Sequence, residues 1–234
     1  MRGEDFRRRI VQAVDLVHHN LKLTRTVSST LSLPVNRDFN EVALNMESTY
    51  SQIYRAAVSL SQYNVMLNDY AVFQFSWDSE TSWRLAYLPN PWLSGVDVAQ
   101  KTVSDWETLE SLGELDNEEV TSLLDELPYY GSIPPLRFEY SVAQYREISH
   151  PAAHLHIGRH TDNRWALSRP LDPLTFIMIV LRLYYPAEWN PLSSFHGGRE
   201  EECLDRRLAT ELGRIHLVHE FSEIERRSLH FASQ

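Results

Sequence analysis

The chain holds a single cysteine, Cys203, among its 234 residues. An internal disulfide and a structural zinc site built on paired thiolates are both excluded, and a reducing compartment is expected. Lysine is almost as scarce: Lys22 and Lys101 are the only two, so the other twenty positive charges are arginines. Against them stand 32 acidic residues, for a formal net charge of −10. A protein that grips a long duplex through its phosphates needs a cationic surface, so extended duplex DNA binding by this chain alone is not expected. Local arginine patches can still hold a carboxylate or phosphate in bidentate fashion. No apolar run approaches the length of a membrane span, and the opening residues are charged where a signal peptide would be apolar. A cytoplasmic protein without membrane association is the expectation. A Gly-rich phosphate loop, a G-x-S-x-G elbow and an H-E-x-x-H helix are all missing.

What is present reads as one α+β domain over residues 1–234, with a helical N-terminal part (1–65), a sheet region (70–190) and a helical C-terminal part (199–234). Residues 4–22 form an amphipathic pattern, with Phe6, Ile10, Ala13, Val14, Val17 and Leu21 at helical spacing. Arg7, Arg8 and Arg9 read as its solvated face. The Ser/Thr-rich segment 24–36 reads as a connection. A second apolar stripe, Phe39, Val42, Met46, Tyr50, Ile53, Ala57 and Leu60, predicts one helix over 38–62, antiparallel to the first.

From residue 70 the period changes to two. Phe73, Phe75 and Trp77, a turn, then Trp83, Leu85 and Tyr87 predict a hairpin whose aromatic rows stabilise a sheet. Residues 101–127 read as two short acidic helices. Asp172-Pro173 is an N-cap followed by proline at the first helical position, and the helix that it opens ends at Tyr185-Pro186. Residues 190–198 read as a loop carrying His196, residues 199–213 as a charged helix, and the tail 215–231 as strand or helix. Strands near 71–77, 82–88, 136–145, 153–158 and 164–168 predict an antiparallel sheet of about five strands covered by helices.

Three histidines, His150, His154 and His156, fall within seven residues. The run His154-Leu155-His156-Ile157 alternates at period two, so both imidazoles leave one face of a strand. If they form a working site, that face opens to a pocket while Leu155 and Ile157 turn to the core. Glu139, Tyr140 and Tyr145 precede the histidines; Arg159, Arg164 and Arg169 follow. Imidazoles can exchange protons near neutral pH, arginines can hold phosphate or developing charge, and Glu139 can orient an imidazole or complete a metal shell. His150, His154, His156, Glu139 and Tyr145 are the candidate catalytic residues, and Arg159, Arg164 and Arg169 the candidate substrate-binding ones. The constellation suits metal-independent phosphodiester cleavage or a His/carboxylate site for a divalent metal; no other cofactor is called for. Known three-histidine patterns do not fit: a triad of alternate histidines would need one at Ala152, and the metallo-β-lactamase spacing would need an aspartate at Gly158. The competing reading is structural, with the imidazoles fixing the His150-Pro151 corner.

The string S-H-P-x-x-H-L-H-I-G, with R-W-A-L-S-R-P-L-D-P-x-x-F and Y-Y-P-x-x-W after it, resembles an uncharacterised bacterial family, a domain of unknown function encoded among mobile and phage-defence genes. The matching positions are His150, Pro151, His154, His156, Gly158, Pro170, Pro173, Phe176 and Trp189. The resemblance implies a bacterial, cytoplasmic protein in a conflict system and carries no catalytic role with it. Two functions are expected from this reading. One is a histidine-dependent hydrolase or nuclease-like effector acting on RNA or nucleotides. The other is a non-catalytic subunit that docks on a protein partner encoded nearby.

Overall fold

A computed structural model describes residues 1–116, 119, 122–123, 126–159, 162–193 and 203–229. Its centre is an open antiparallel sheet of seven strands, laid down side by side in chain order. They are β1 (Thr24–Val27), β2 (Val65–Leu67), β3 (Val72–Ser79), β4 (Ser82–Leu88), β5 (Leu136–Ser141), β6 (Ala153–Ile157) and β7 (Trp165–Ala166). The fold is α+β, with two strands more than the five expected. Both extra strands lack an alternating pattern. β1 is an edge strand with no side chain fully buried, and β2 is three residues long and buried throughout.

Opposed residues in antiparallel pairs share a face of the sheet, so the register sorts the side chains into two sets. Phe73, Phe75, Trp83, Leu85, Tyr87, Leu136 and Phe138 occupy one face and form the main core. Helix α1 (Gly3–Asp15) lies on it, with Phe6 against Trp83, beside a long central helix that we number α5 (Pro173–Tyr184), whose Phe176 meets Phe73 edge-on. The expected solvated face of α1 holds only in part. Arg8 pairs with Asp5, but Arg9 is partly buried between Asp172 and Glu211, at 2.6 Å from each. The last turn of this helix widens over Leu16–Asn20, where Leu21 N donates to Leu16 O.

The other face carries Gln74, Ser76, Arg84, Ala86, Arg137, Glu139, His154 and His156. It is roofed by helices α2 (Arg37–Ala43) and α3 (Tyr50–Ser59), which take the place of the one long helix expected over 38–62. The helical pattern is interrupted because Thr49 caps α3 in a box with Gln52, which starts a new helix there. Tyr50, Tyr54 and Ala57 of α3 pack on Met66, Val72 and Leu88 at one end of this face. The expected antiparallel pairing of the two N-terminal helices gives way to helices on opposite sides of one sheet. The roof arises wholly from the connection between β1 and β2.

Helix α4 (Asp97–Ser111) starts earlier than expected, and much of the second acidic helix lies outside the described residues. α5 begins as its cap predicts: Asp172 accepts from Thr175 N, and Pro173 holds the first position. Leu174, Phe176, Ile177, Met178, Val180 and Leu181 are buried, each contributing roughly 1.5–3 kcal/mol of apolar transfer energy. After Tyr185, α6 (Pro186–Ser193) begins where a loop was expected, because proline can open a helix that it cannot continue. His196 lies outside the described residues. α7 (Leu204–Arg214) and α8 (Glu223–Leu229) follow, so the described part of the tail holds one short helix after an irregular stretch, and no strand. Among the described residues no helix is long and apolar enough to cross a membrane.

Asp172 serves two roles, helix cap and partner of the partly buried Arg9. Its replacement by Ala should cost about 2–4 kcal/mol, because a partly buried cation loses one of its two carboxylates and the helix loses its cap. Asp172→Asn keeps the cap and should be milder by about 1 kcal/mol. Urea unfolding of the three proteins checks the order.

Candidate functional site

Between the polar face of the sheet and the α2–α3 roof lies a cleft of about 760 Å³. This is a volume suited to a small ligand. Gln74, Ser76, Arg84, Arg137 and Glu139 form its floor, Phe39, Tyr50 and Ile53 line the roof side, and Gly158, Arg159 and Asp162 stand at its mouth. Gly158 has φ +80°, a left-handed conformation that other L-residues adopt at a cost, and its amide donates to Pro135 O. That turn ends β6 and sends the chain back past the cleft.

The register builds the chemistry one row at a time. Arg84 of β4, Glu139 of β5 and His154 of β6 stand in one row; Ala86, Arg137 and His156 stand in the next. Glu139 is divided between two environments. Its Oε1 pairs with Arg137 Nε at 2.8 Å, and its Oε2 lies 3.7 Å from His154 Nε2. The carboxylate thus belongs to the cleft floor and also touches the histidine cluster behind it.

The imidazoles do not line the cleft as the open-pocket reading requires. His154 is 0% and His156 2% exposed, whereas Leu155 is half-buried against the core and Ile157 is 41% exposed. The alternation assigns the faces correctly, but it cannot predict that both imidazoles are buried on that face while the end of β6 leaves Ile157 uncovered. His150, His154 and His156 stack edge to face, at ring separations of 4.9 Å and 4.8 Å. His150 is held by paired backbone hydrogen bonds with Arg146.

His154 Nδ1 lies 2.7 Å from the Pro151 carbonyl oxygen. A carbonyl only accepts, so in the neutral ring Nδ1 carries the proton and Nε2 keeps a lone pair. Burial pushes the His154 pKa down, against the opposing pull of the Pro151 carbonyl and of Glu139. Among the described residues Nε2 has no hydrogen-bond partner. Its 3.7 Å separation from Glu139 is too long for one. One carboxylate oxygen of Glu139 and one ring nitrogen each of His154 and His156 lie within 4.8 Å of one another, and no other set of three His, Cys, Asp or Glu side chains gathers in this way among the described residues.

The remaining candidates are distributed more widely. Arg159 reaches the mouth of the cleft, and Arg164 lies near His154, 3.6 Å from Asp162. Tyr140 packs on Trp83, Tyr145 points to Glu225 at 3.5 Å, and Arg169 donates to the Ile215 carbonyl. Tyr145 and Arg169 therefore stand with the C-terminal segment, away from Glu139. Arg84, Arg137 and the roof residues Phe39 and Tyr50 were not singled out from the sequence. The period-two pattern does place Arg137 beside Glu139. The approach of β4 and α2–α3 has no signal in the string.

Because its imidazole is buried, His154→Ala should destabilise the protein by about 1–3 kcal/mol, leaving the Pro151 carbonyl without its donor. Leu155→Ala, at a half-buried site, should cost no more than this. Glu139→Gln should leave the melting temperature nearly unchanged. Thermal unfolding followed by circular dichroism checks the three.

The family model described as "Uncharacterized conserved protein (DUF2290)" matches residues 16–233. No curated protein and no solved structure matches the chain. The matched span takes in every strand of the sheet, the roof helices and the histidine cluster, and the chain belongs to this uncharacterised conserved family, DUF2290.

Proposed function

We propose that the protein is a hydrolase of phosphoesters in RNA or nucleotides, with the Glu139–His154–His156 cluster as its reacting centre. The observation that carries this reading is the double position of Glu139, one oxygen beside Arg137 on the cleft floor and the other facing a buried imidazole. Three arginines, Arg84, Arg137 and Arg159, surround the same cleft against the two acids Glu139 and Asp162. Guanidinium groups placed in this way would hold the non-bridging oxygens of a phosphoryl group and stabilise the charge that grows on them. The roof offers Phe39, Leu44 and Met46 to a base or other flat apolar group. Water positioned at Glu139 attacks phosphorus and the bond to the leaving oxygen breaks. The proton lost from water passes to the Glu139–His154 pair, and a proton returned from the cluster neutralises the leaving oxygen.

Arg164, Arg169, Tyr145 and His150 have supporting parts in this reading: Arg164 and His150 surround His154, and Tyr145 and Arg169 tie the C-terminal segment to the sheet region. A role for this hydrolysis in a bacterial conflict or phage-defence system, in the cytoplasm, belongs to the same proposal. One observation favours the alternative of a non-catalytic subunit docked on a protein partner: Val35, Leu44 and Met46 at the mouth are 70–77% exposed.

Purified protein incubated with single-stranded RNA, nucleoside mono- to triphosphates and DNA, with and without divalent metal, should cleave at least one phosphoester substrate. Glu139→Gln should lower turnover by about 10²–10⁴-fold, the usual contribution of a positioned acid–base group. Arg84→Ala should raise KM. No turnover of any phosphoester, or turnover indifferent to Glu139→Gln, rejects the enzyme. Co-purification with a partner protein, abolished by Leu44→Asp and Met46→Asp, would then favour the subunit.

A further inference from the structure

Glu139, His154 and His156 present one carboxylate oxygen and two imidazole nitrogens within 4.8 Å of one another. A shared proton would draw Glu139 Oε2 and His154 Nε2 to hydrogen-bond distance, roughly 2.7–3.2 Å. They stand at 3.7 Å instead. Two ligands around a transition metal, each about 2.0–2.2 Å from it, lie roughly 3.3–3.6 Å apart in a tetrahedral arrangement. The observed separation is close to that spacing.

The groups behind the donors point the same way. The Pro151 carbonyl holds His154 Nδ1–H, which fixes the tautomer that offers Nε2 as a ligand. Arg137 Nε forms an ion pair with the other oxygen of Glu139 at 2.8 Å, leaving Oε2 on the side of the imidazoles. The His154 ring is fully buried, its Nε2 is unpartnered among the described residues, and it points at the carboxylate. A lone pair facing a carboxylate oxygen in a buried space repels it unless a cation lies between them.

We propose that these three side chains bind one divalent transition metal of the zinc class, with an open coordination position toward the cleft. Two imidazoles and one carboxylate select against Mg²⁺ and Ca²⁺, which prefer all-oxygen shells. The assignment rests on the reading of this cluster as the reacting centre, to which a bound cation would supply Lewis acidity beside the arginines. With the cation bound, Glu139 and His154 would act as its ligands in place of taking the proton from water, and the arginines would still hold the phosphoryl group.

The protein is stripped with chelator, dialysed, and titrated with Zn²⁺ and separately with Co²⁺. Wild type should retain a single Zn²⁺ per chain through gel filtration, and Co²⁺ should give the visible absorption bands of a low-coordinate site with nitrogen ligands. Glu139→Gln, at a partly exposed position, should keep the native circular dichroism and weaken Zn²⁺ binding by more than about tenfold. His154→Gln should do the same if it folds. Replacing the exposed pair His18 and His19 by Ala should leave the stoichiometry unchanged, as surface histidines are not the site. No retained Zn²⁺ in wild type, or affinity unaltered in folded Glu139→Gln, overturns the site. Zn²⁺ binding without cleavage of any phosphoester removes the hydrolase and leaves the metal site standing. Cleavage at an undiminished rate in excess chelator removes the metal and leaves the hydrolase.

Discussion

In an antiparallel sheet a residue and its two cross-strand partners stand side by side, and the pairing of β5 with β4 and β6 puts Arg84, Glu139 and His154 in one line across three strands. The adjacent line on the opposite face is Leu85, Phe138 and Leu155. A slip of one residue in either pairing would exchange these lines, burying a carboxylate in the core and exposing Phe138 to the cleft. The register is held from the core side. Trp83 is packed against Phe6 and Tyr140, and its ring nitrogen donates to the Leu171 carbonyl just before α5 begins. The apolar core thereby determines where the polar groups on the far face stand.

Several of the buried polar groups are fully answered. Asn64 is fully buried and uses both ends of its amide, donating to the Ser29 and Leu31 carbonyls and accepting from Phe75 N. Asp69 is buried, with its pKa raised by desolvation, and accepts from Tyr185, which in turn shares a hydrogen bond with Tyr87. Arg9 is answered by two carboxylates. His154 Nε2 is not answered in this way: it is fully buried and stands 3.7 Å from its neighbouring carboxylate, and His150 Nδ1 and Arg164 Nε beside it likewise make no hydrogen bond among the described residues. Buried polar groups without partners are rare in native proteins, and His154 Nε2 faces a carboxylate that also lines the cleft.

The sequence was most readable where local chemistry decides structure. The Asp172-Pro173 cap, the Phe73–Tyr87 aromatic hairpin and the alternation through His154 and His156 each depend on neighbours a few residues away. It was least readable where distant segments decide. Val65, Met66 and Leu67 carry no alternation because both their faces are covered, and Thr24–Val27 looks like a polar linker because it is a sheet edge. Burial of the two histidines depends on segments elsewhere in the chain, so period two could give their common face but not its exposure. Arg9 shows the same limit. Three successive arginines look alike in a string, and only the arrival of α5 and α7 singles out the middle of the helix face for a partly buried ion network.

The roof and the floor of the cleft come from separate parts of the chain. Every floor residue lies on β3, β4 or β5, which are bound to one another by ladders and backed by the core, while the roof is the long excursion between β1 and β2. A hairpin connection tolerates change in length and composition far better than a paired strand does. Changes in the shape and chemistry above the cleft would therefore leave undisturbed the row of arginine, glutamate and histidine beneath, so that one fixed floor can be fitted with many different ceilings.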